Sequence, residues 1–287
     1  MVKYTDRVQR IWRILANKSD REMAITPLHL LLAMCEENTG PCAELHQYLM
    51  KKYGHQFLLD YEKHVIRTHS ASLLQTTLPF PVTGKMMEVL NMAEKRMIRY
   101  NQTLLNEGHL MQATLRIDSS LGELFTEQDL IMFDKILCRA RDMLVPLDNY
   151  FPSIENKQLF IRRALKKDEP EIIDFVKSEF GSGWLESIKN GMEHEDISIF
   201  VAYHNNIING FACYEAHDKK RGTFGPMGIS NQNREHGVGT ILLHHCLLEL
   251  KRKKYKYAIL EGAGPIEFYE KVVGAMLIPI KENDLNK

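Results

Sequence analysis

The residues best suited to chemistry lie in one run, Arg234-Glu235-His236-Gly237-Val238-Gly239-Thr240. It stands between a strand-like piece, Thr223 to Ile229, and a segment with helical periodicity. In that segment Ile241, Leu243, Cys246, Leu247 and Leu250 recur at intervals of three and four, which makes one apolar stripe. Lys251 to Lys254 crowd its end, where positive charge suits the negative pole of a helix. The glycines therefore stand where a loop becomes a helix. Free backbone N–H groups point outward there, and the missing Cβ atoms let a bulky anion approach. A helix start of this kind takes a phosphate or pyrophosphate. Two phosphate-binding patterns are excluded. The dinucleotide fingerprint needs a third glycine, and position 242 is Leu; the Walker loop needs Gly-Lys-Ser/Thr, which occurs nowhere in the chain.

What fits is Arg234-x-x-Gly237-Val238-Gly239, which resembles the acetyl-CoA loop of the GNAT acetyltransferase superfamily. The neighbouring segments follow that family's order: Lys256 to Glu261 reads as a strand, and Gly264 to Lys271 as a short helix carrying Phe268-Tyr269. The resemblance implies that Arg234, His236 and the amides of Gly237, Val238, Gly239 and Thr240 hold the pyrophosphate of acetyl-CoA, a co-substrate. It implies that the backbone of Met227, Gly228 and Ile229 pairs with the pantetheine arm, and that Tyr269 protonates the departing thiolate. An amine would attack the thioester directly. Its general base stays open among Glu215, Glu261 and a water chain. The chain departs from the family at Gly262, where an Asn often stands, and at Ala275, where the family has Phe. The fourth strand also lacks the carboxylate that many members use as base.

These residues need a scaffold, and residues 151–287 read as an α/β domain with a mixed, splayed central sheet. Gln158 to Ala164 reads as a strand, Asp168 to Phe180 and Trp184 to Met192 as helices. Ile197 to Tyr203 and Ile207 to Tyr214 read as a hairpin turning at His204-Asn205-Asn206. So few residues follow Ile280 that the last strand of the family is expected to be missing, leaving an edge for the helical domain or a second subunit to fill.

Residues 1–150 have periods of three and four almost throughout. An internal repeat sets Thr5, Val8, Ile11 and Leu15 against Thr83, Met86, Val89 and Ala93. It also sets Thr26-Pro27-Leu28-His29-Leu30 against Glu107-Gly108-His109-Leu110, with a two-residue shift between the parts. Further helix is expected over Pro41 to Tyr53 and Leu121 to Leu144, and a domain boundary near Leu147 to Ser153. The first copy, with Thr26-Pro27-x-His29-Leu30-Leu31-Leu32-Ala33, resembles the all-helical double repeat at the N-terminus of the Clp ATPases. Without a Walker loop, that resemblance implies protein or peptide docking rather than ATP hydrolysis. Residue by residue, Thr26 reads as a helix cap, Pro27 as the first helical residue and His29 as a cap or core histidine.

Composition excludes several classes. Lys+Arg and Asp+Glu number 37 each, which leaves no basic footprint for nucleic acid. No apolar run is long enough to span a bilayer, and the N-terminus lacks the apolar core of a signal peptide, so a cytoplasmic protein is expected. Five scattered cysteines read as reduced core residues. No metal site is expected: His55, His64 and His69 match no compact ligand spacing, and His244 and His245 point about 100° apart on a helix. The expected activity is acetyl transfer to the amine of a small molecule or protein. The alternative is an acyl-CoA-binding adaptor whose helical domain docks a partner. A homodimer is open.

Overall fold

The computed structural model describes residues 2–18, 24–67, 74–100, 102–153, 160–230 and 237–280. Backbone contacts divide them into two compact units, one running to Arg139 and taking in Pro279 and Ile280, the other Ala140–Ile278.

The first unit is helical: α1 (Asp6–Lys18), α2 (Pro27–Glu37), α3 (Gly40–Arg67), α4 (Gly84–Arg99), α5 (Glu107–Ile117), α6 (Leu121–Leu124) and α7 (Glu127–Phe133). A π-helical turn, Asp134–Cys138, closes it. The helix α3 is interrupted at Gly54, whose φ of 78° no ordinary residue adopts cheaply. The repeat is a physical one. Thr5 and Thr83 each accept the backbone N–H three residues on, at 3.3 Å. Thr26 and Asn106 cap α2 and α5, and in both copies the histidine at the third helical position returns its Nδ1 to the cap amide, at 3.2 and 3.1 Å. The capping segments also cross-pair. Leu105 N–H donates to Lys3 O and Thr5 N–H to Leu105 O; in the mirror-related place Ile25 N–H donates to Pro81 O and Thr83 N–H to Ile25 O. His29 and His109 thus occupy equivalent positions. Helix does not continue to Leu144 as expected: it ends at Cys138, and Arg141–Pro146 is a strand. The alternation of buried and open side chains along Arg141-Asp142-Met143-Leu144-Val145-Pro146 is the period-two pattern of a strand, and it was masked by the apolar run.

That strand, β1, belongs to the second unit, with β2 (Phe160–Arg163), α8 (Glu169–Phe180), α9 (Leu185–Glu193), β3 (Ile199–His204), β4 (Ile207–Tyr214), β5 (Thr223–Ile229), α10 (Val238–Arg252), β6 (Tyr257–Ala263), α11 (Ile266–Val273) and β7 (Met276–Leu277). The seven strands pair in the order β2-β3-β4-β5-β6-β1-β7. All pairs are antiparallel except β5 with β6, which is parallel. Asn205 and Asn206, both at positive φ, turn the β3–β4 hairpin, as their tolerance of the left-handed region allows. One face of the sheet packs on α10 and α11 through Phe224, Val238, Leu242, Leu247, Leu260 and Tyr269; the other packs on α8 and α9 through Ile172, Val176, Ile188 and Phe211. The missing-strand expectation is met in part, with residues of the first 150 filling the edge. A short last strand, β7, is present, and the place beside β6 is filled by β1, from ahead of the domain.

Candidate functional site

The site is made by a pairing that stops. β5 and β6 are hydrogen-bonded at Thr223↔Ile259 and Phe224↔Leu260 and no further. Beyond Phe224, β5 keeps its bonds to β4, with Met227 opposite Ala212, Gly228 opposite Phe211 and Ile229 opposite Gly210. The parallel pairing with β6 does not extend to Met227 and Gly228. β6 meanwhile pairs on its other side with β1, Val145 opposite Ala258 and Met143 opposite Leu260, with a register shift between Met143 and Arg141. A strand edge beside such a divergence accepts an extended ligand with alternating amides.

The helix α10 begins just past the end of β5. Its cap residue Gly237 has φ 72° and, as a glycine, makes no side-chain cap. A Cβ at Gly237 would meet nothing within 4 Å, and one at Gly239 would lie 3.6 Å from Ile229 and 3.7 Å from Met227. The first turn of α10 therefore lies against the end of β5. Val238 is fully buried and roots that turn in the core, while Thr240 is half-buried. Gly210 opposite is small for a reason: its Cβ would come within 2.7 Å of Ile229 and 3.3 Å of Val238. Gly228 is likewise a packing glycine, its missing Cβ leaving room for the Phe180 ring. Arg234 and His236 lie outside the described residues.

Three candidate acid–base groups surround the point of divergence. Tyr269, on α11, is 7% exposed and stands edge-on to Phe224, the last paired residue of β5, with centroids 6.3 Å apart. Burial pushes its pKa above the usual phenol value, so it keeps its proton. Glu261, on β6, is the first residue past the last β5–β6 pair. Its Oε1 lies 3.0 Å from Lys220 Nζ, and its Oε2 is buried without a hydrogen-bond partner. Glu215 is buried and fully engaged. It accepts from the Gly222 amide at 2.9 Å and from Lys253 at 2.5 Å. Burial would raise its pKa, yet Lys253, Tyr255 and that amide together hold it below the ordinary value. A carboxylate so held anchors a turn and is poorly suited to take up a proton.

Sequence reasoning missed two groups. Lys220, which orients Glu261, precedes it by 41 residues. Asp142 on β1 accepts the Gly262 amide at 2.9 Å across 120 residues. Neither contact has a local signature. Among the described residues no grouping of His, Cys, Asp and Glu could hold a metal ion. His55 is exposed, the side chain of His64 and all of His69 lie outside the description, and no described helix is long and apolar enough to cross a membrane. All five cysteines are free, four of them buried.

Residues 195–272 match the family model described as "Acetyltransferase (GNAT) domain". No curated protein matches the chain. Solved structures similar to it include a GCN5-related N-acetyltransferase from Sphaerobacter thermophilus, at 16% identity and TM-score 0.42, over 59% of this chain and 64% of that one. Another is a GCN5-related N-acetyltransferase from Kribbella flavida, at 10% identity and TM-score 0.37, over 49% and 54%. A third is the glucosamine N-acetyltransferase region of a fungal multi-domain beta-N-acetylglucosaminidase, at 15% and TM-score 0.43, over 49% of this chain and 20% of that protein. The chain thus spans less than two thirds of each. The sheet unit carries a GNAT acetyltransferase domain.

Proposed function

We propose that the sheet unit transfers an acetyl group from acetyl-CoA to an amine. The observation that carries this reading is the end of β5–β6 pairing at Phe224 and Leu260, which parts the two strands beside the glycine start of α10. Both features fit the co-substrate. The amides of Val238, Gly239 and Thr240, with Gly237 giving access and Arg234 and His236 adding charge, would hold the pyrophosphate. The edge of Met227, Gly228 and Ile229 would pair with the pantetheine amides. In this reading Glu261 takes the proton of the attacking amine through its unpartnered Oε2, while Lys220 keeps Oε1 and so fixes the carboxylate. We favour it over Glu215, whose oxygens are occupied. Tyr269 gives its proton to the thiolate as the C–S bond breaks. The test is calorimetry with CoA, followed by a screen of amines for thiol release from acetyl-CoA. Absence of CoA binding by the intact chain overturns the reading.

For the helical unit we propose a docking role of the Clp N-terminal kind. Its support is the repeat of matched caps around His29 and His109, beyond the Thr26-Pro27-x-His29 signature. Binding of the full chain to an array of unstructured peptides tests it, and uniform failure to retain any removes it.

A further inference from the structure

We infer that Lys220 is an acetyl acceptor, modified within its own chain by acetyl-CoA bound to the sheet unit; the inference rests on the acetyl-CoA reading above. The Lys220 Nζ donates to Oε1 of Glu261 at 3.0 Å. Glu261 is the first residue past the last β5–β6 pair, and its backbone oxygen would lie 3.7 Å from a Cβ at Gly225, the residue where β5 leaves β6. The lysine nitrogen therefore already stands beside the proposed base, at the place where the strands diverge. An ordinary Lys–Glu pair on a protein surface is solvated on both sides and signifies little. This pair is lopsided. The Lys220 side chain is 52% exposed, whereas that of Glu261 is 16% exposed and its Oε2 is buried without a hydrogen-bond partner.

The turn before β5 presents this lysine. Lys220 N–H donates to His217 O at 3.1 Å, the Thr223 hydroxyl donates to Lys220 O at 2.9 Å, and Ile259 N–H donates to Gly222 O at 3.0 Å. The turn is thus tied to both β5 and β6. Asp218 and Lys219 sit at φ 49° and 52°, a conformation that costs ordinary residues free energy and persists only where the surroundings hold it. Asp218 also braces the Lys220 Nζ, at 3.4 Å. Lys219 goes elsewhere and pairs with Glu193 at 3.1 Å. The chemistry balances. One ammonium proton of Lys220 passes to Glu261, and the free amine attacks the thioester carbonyl carbon. The C–N bond forms as the C–S bond breaks, and Tyr269 protonates the departing thiolate. The net products are acetyl-lysine, the CoA thiol and one proton given to water. A nucleophile held in this way needs no encounter with a second molecule of amine.

The test incubates the full chain with acetyl-CoA and no added amine. Mass spectrometry with fragment ions that resolve Lys219 from Lys220 reads the product, and calorimetry with CoA on the same chain reads binding. Lys219, whose side chain is 58% exposed, is the internal control for chemical acetylation. Lys220 is expected to gain an acetyl group at least about 10-fold faster than Lys219, at a rate independent of chain concentration. Glu261→Gln divides catalysed from chemical acetylation by sign. Glu261 first, then Asp218, keeps the Lys220 ammonium charged above the usual lysine range, so chemical acetylation should quicken once the Glu261 carboxylate is gone. Base-assisted transfer should instead slow by about 10²-fold or more. If Glu261→Gln fails to fold, the ratio of Lys220 to Lys219 and the concentration series still decide. CoA binding with no acetyl at Lys220, equal labelling of the two lysines, a rate that rises with chain concentration, or faster labelling in Glu261→Gln overturns the inference and leaves the CoA reading standing. Absence of CoA binding overturns both.

Discussion

Tyr269 and Glu261 are separable by substitutions that keep their shapes. Tyr269→Phe leaves the ring against Phe224 and Phe268 and removes only the hydroxyl. With Tyr269 as proton donor, turnover falls by about 10²–10⁴ while CoA affinity is unchanged. Full turnover in the variant would reduce Tyr269 to packing. Glu261→Gln keeps the side chain's volume but cannot take up a proton. It should lose a similar factor, whereas Glu215→Gln should instead lower thermal stability, because it breaks the contact with Lys253. Equal kinetic loss in both variants would contradict the assignment. Gly262, where the resemblance leads one to expect Asn, has φ 58°. Glycine and asparagine both tolerate that left-handed conformation, so the departure keeps the backbone and drops only an amide side chain.

At the scale of elements, the start of α10 and the paired caps of the helical repeat each make a measurable claim. A side chain at position 239 would make only ordinary contacts with Ile229 and Met227, so Gly239→Val should fold normally. Its branches would stand where the pyrophosphate approaches the amides. CoA affinity is expected to fall at least about ten-fold, some 1.4 kcal/mol, with little change in melting temperature. Unchanged affinity would separate this helix start from CoA binding. In the repeat, burial first, then Lys18 beside His29 and Arg96 beside His109, lowers both histidine pKa values to about 4. Each neutral Nδ1 accepts a cap amide. The unfolded chain takes up these protons near pH 6.5, so it binds more protons than the folded one between 6.5 and 4. Their contribution is complete above pH 6.5 and lost as pH falls through 4, by at most about 1.4 kcal/mol per pH unit for each histidine. Denaturant titrations at stepped pH should show that slope. Replacing both by Gln, which can close the same capping box, should flatten it; an equally steep double variant would place the slope elsewhere.

For the whole molecule, the consequential feature is that β1 precedes the segment matched by the acetyltransferase model yet holds β6 in place. Met143, Val145 and Leu147 are fully buried in the sheet unit's core. Removing three such side chains forfeits about 1.5–3 kcal/mol each, comparable with the entire stability of a domain. A fragment of residues 140–278 is therefore expected to give a cooperative thermal transition. One beginning at residue 151 should be unfolded or aggregated, because β6 would present an unpaired edge. Equal stability of the two fragments would show β1 to be dispensable.

The sequence alone determined what local chemistry determines. Thr26 and the matched histidines set the helix starts of the repeat, asparagines set the hairpin, and glycines before an apolar stripe set the start of α10. Each depends on residues a few positions apart, so period and type suffice. The tertiary structure decided what depends on distant partners. It made Arg141–Pro146 a strand, because the open side of β6 offered a pairing that outweighed the helical reading. It also gave Glu261 its lysine and filled Glu215. Burial and pairing across 41 or 120 residues leave no period in the chain to be read.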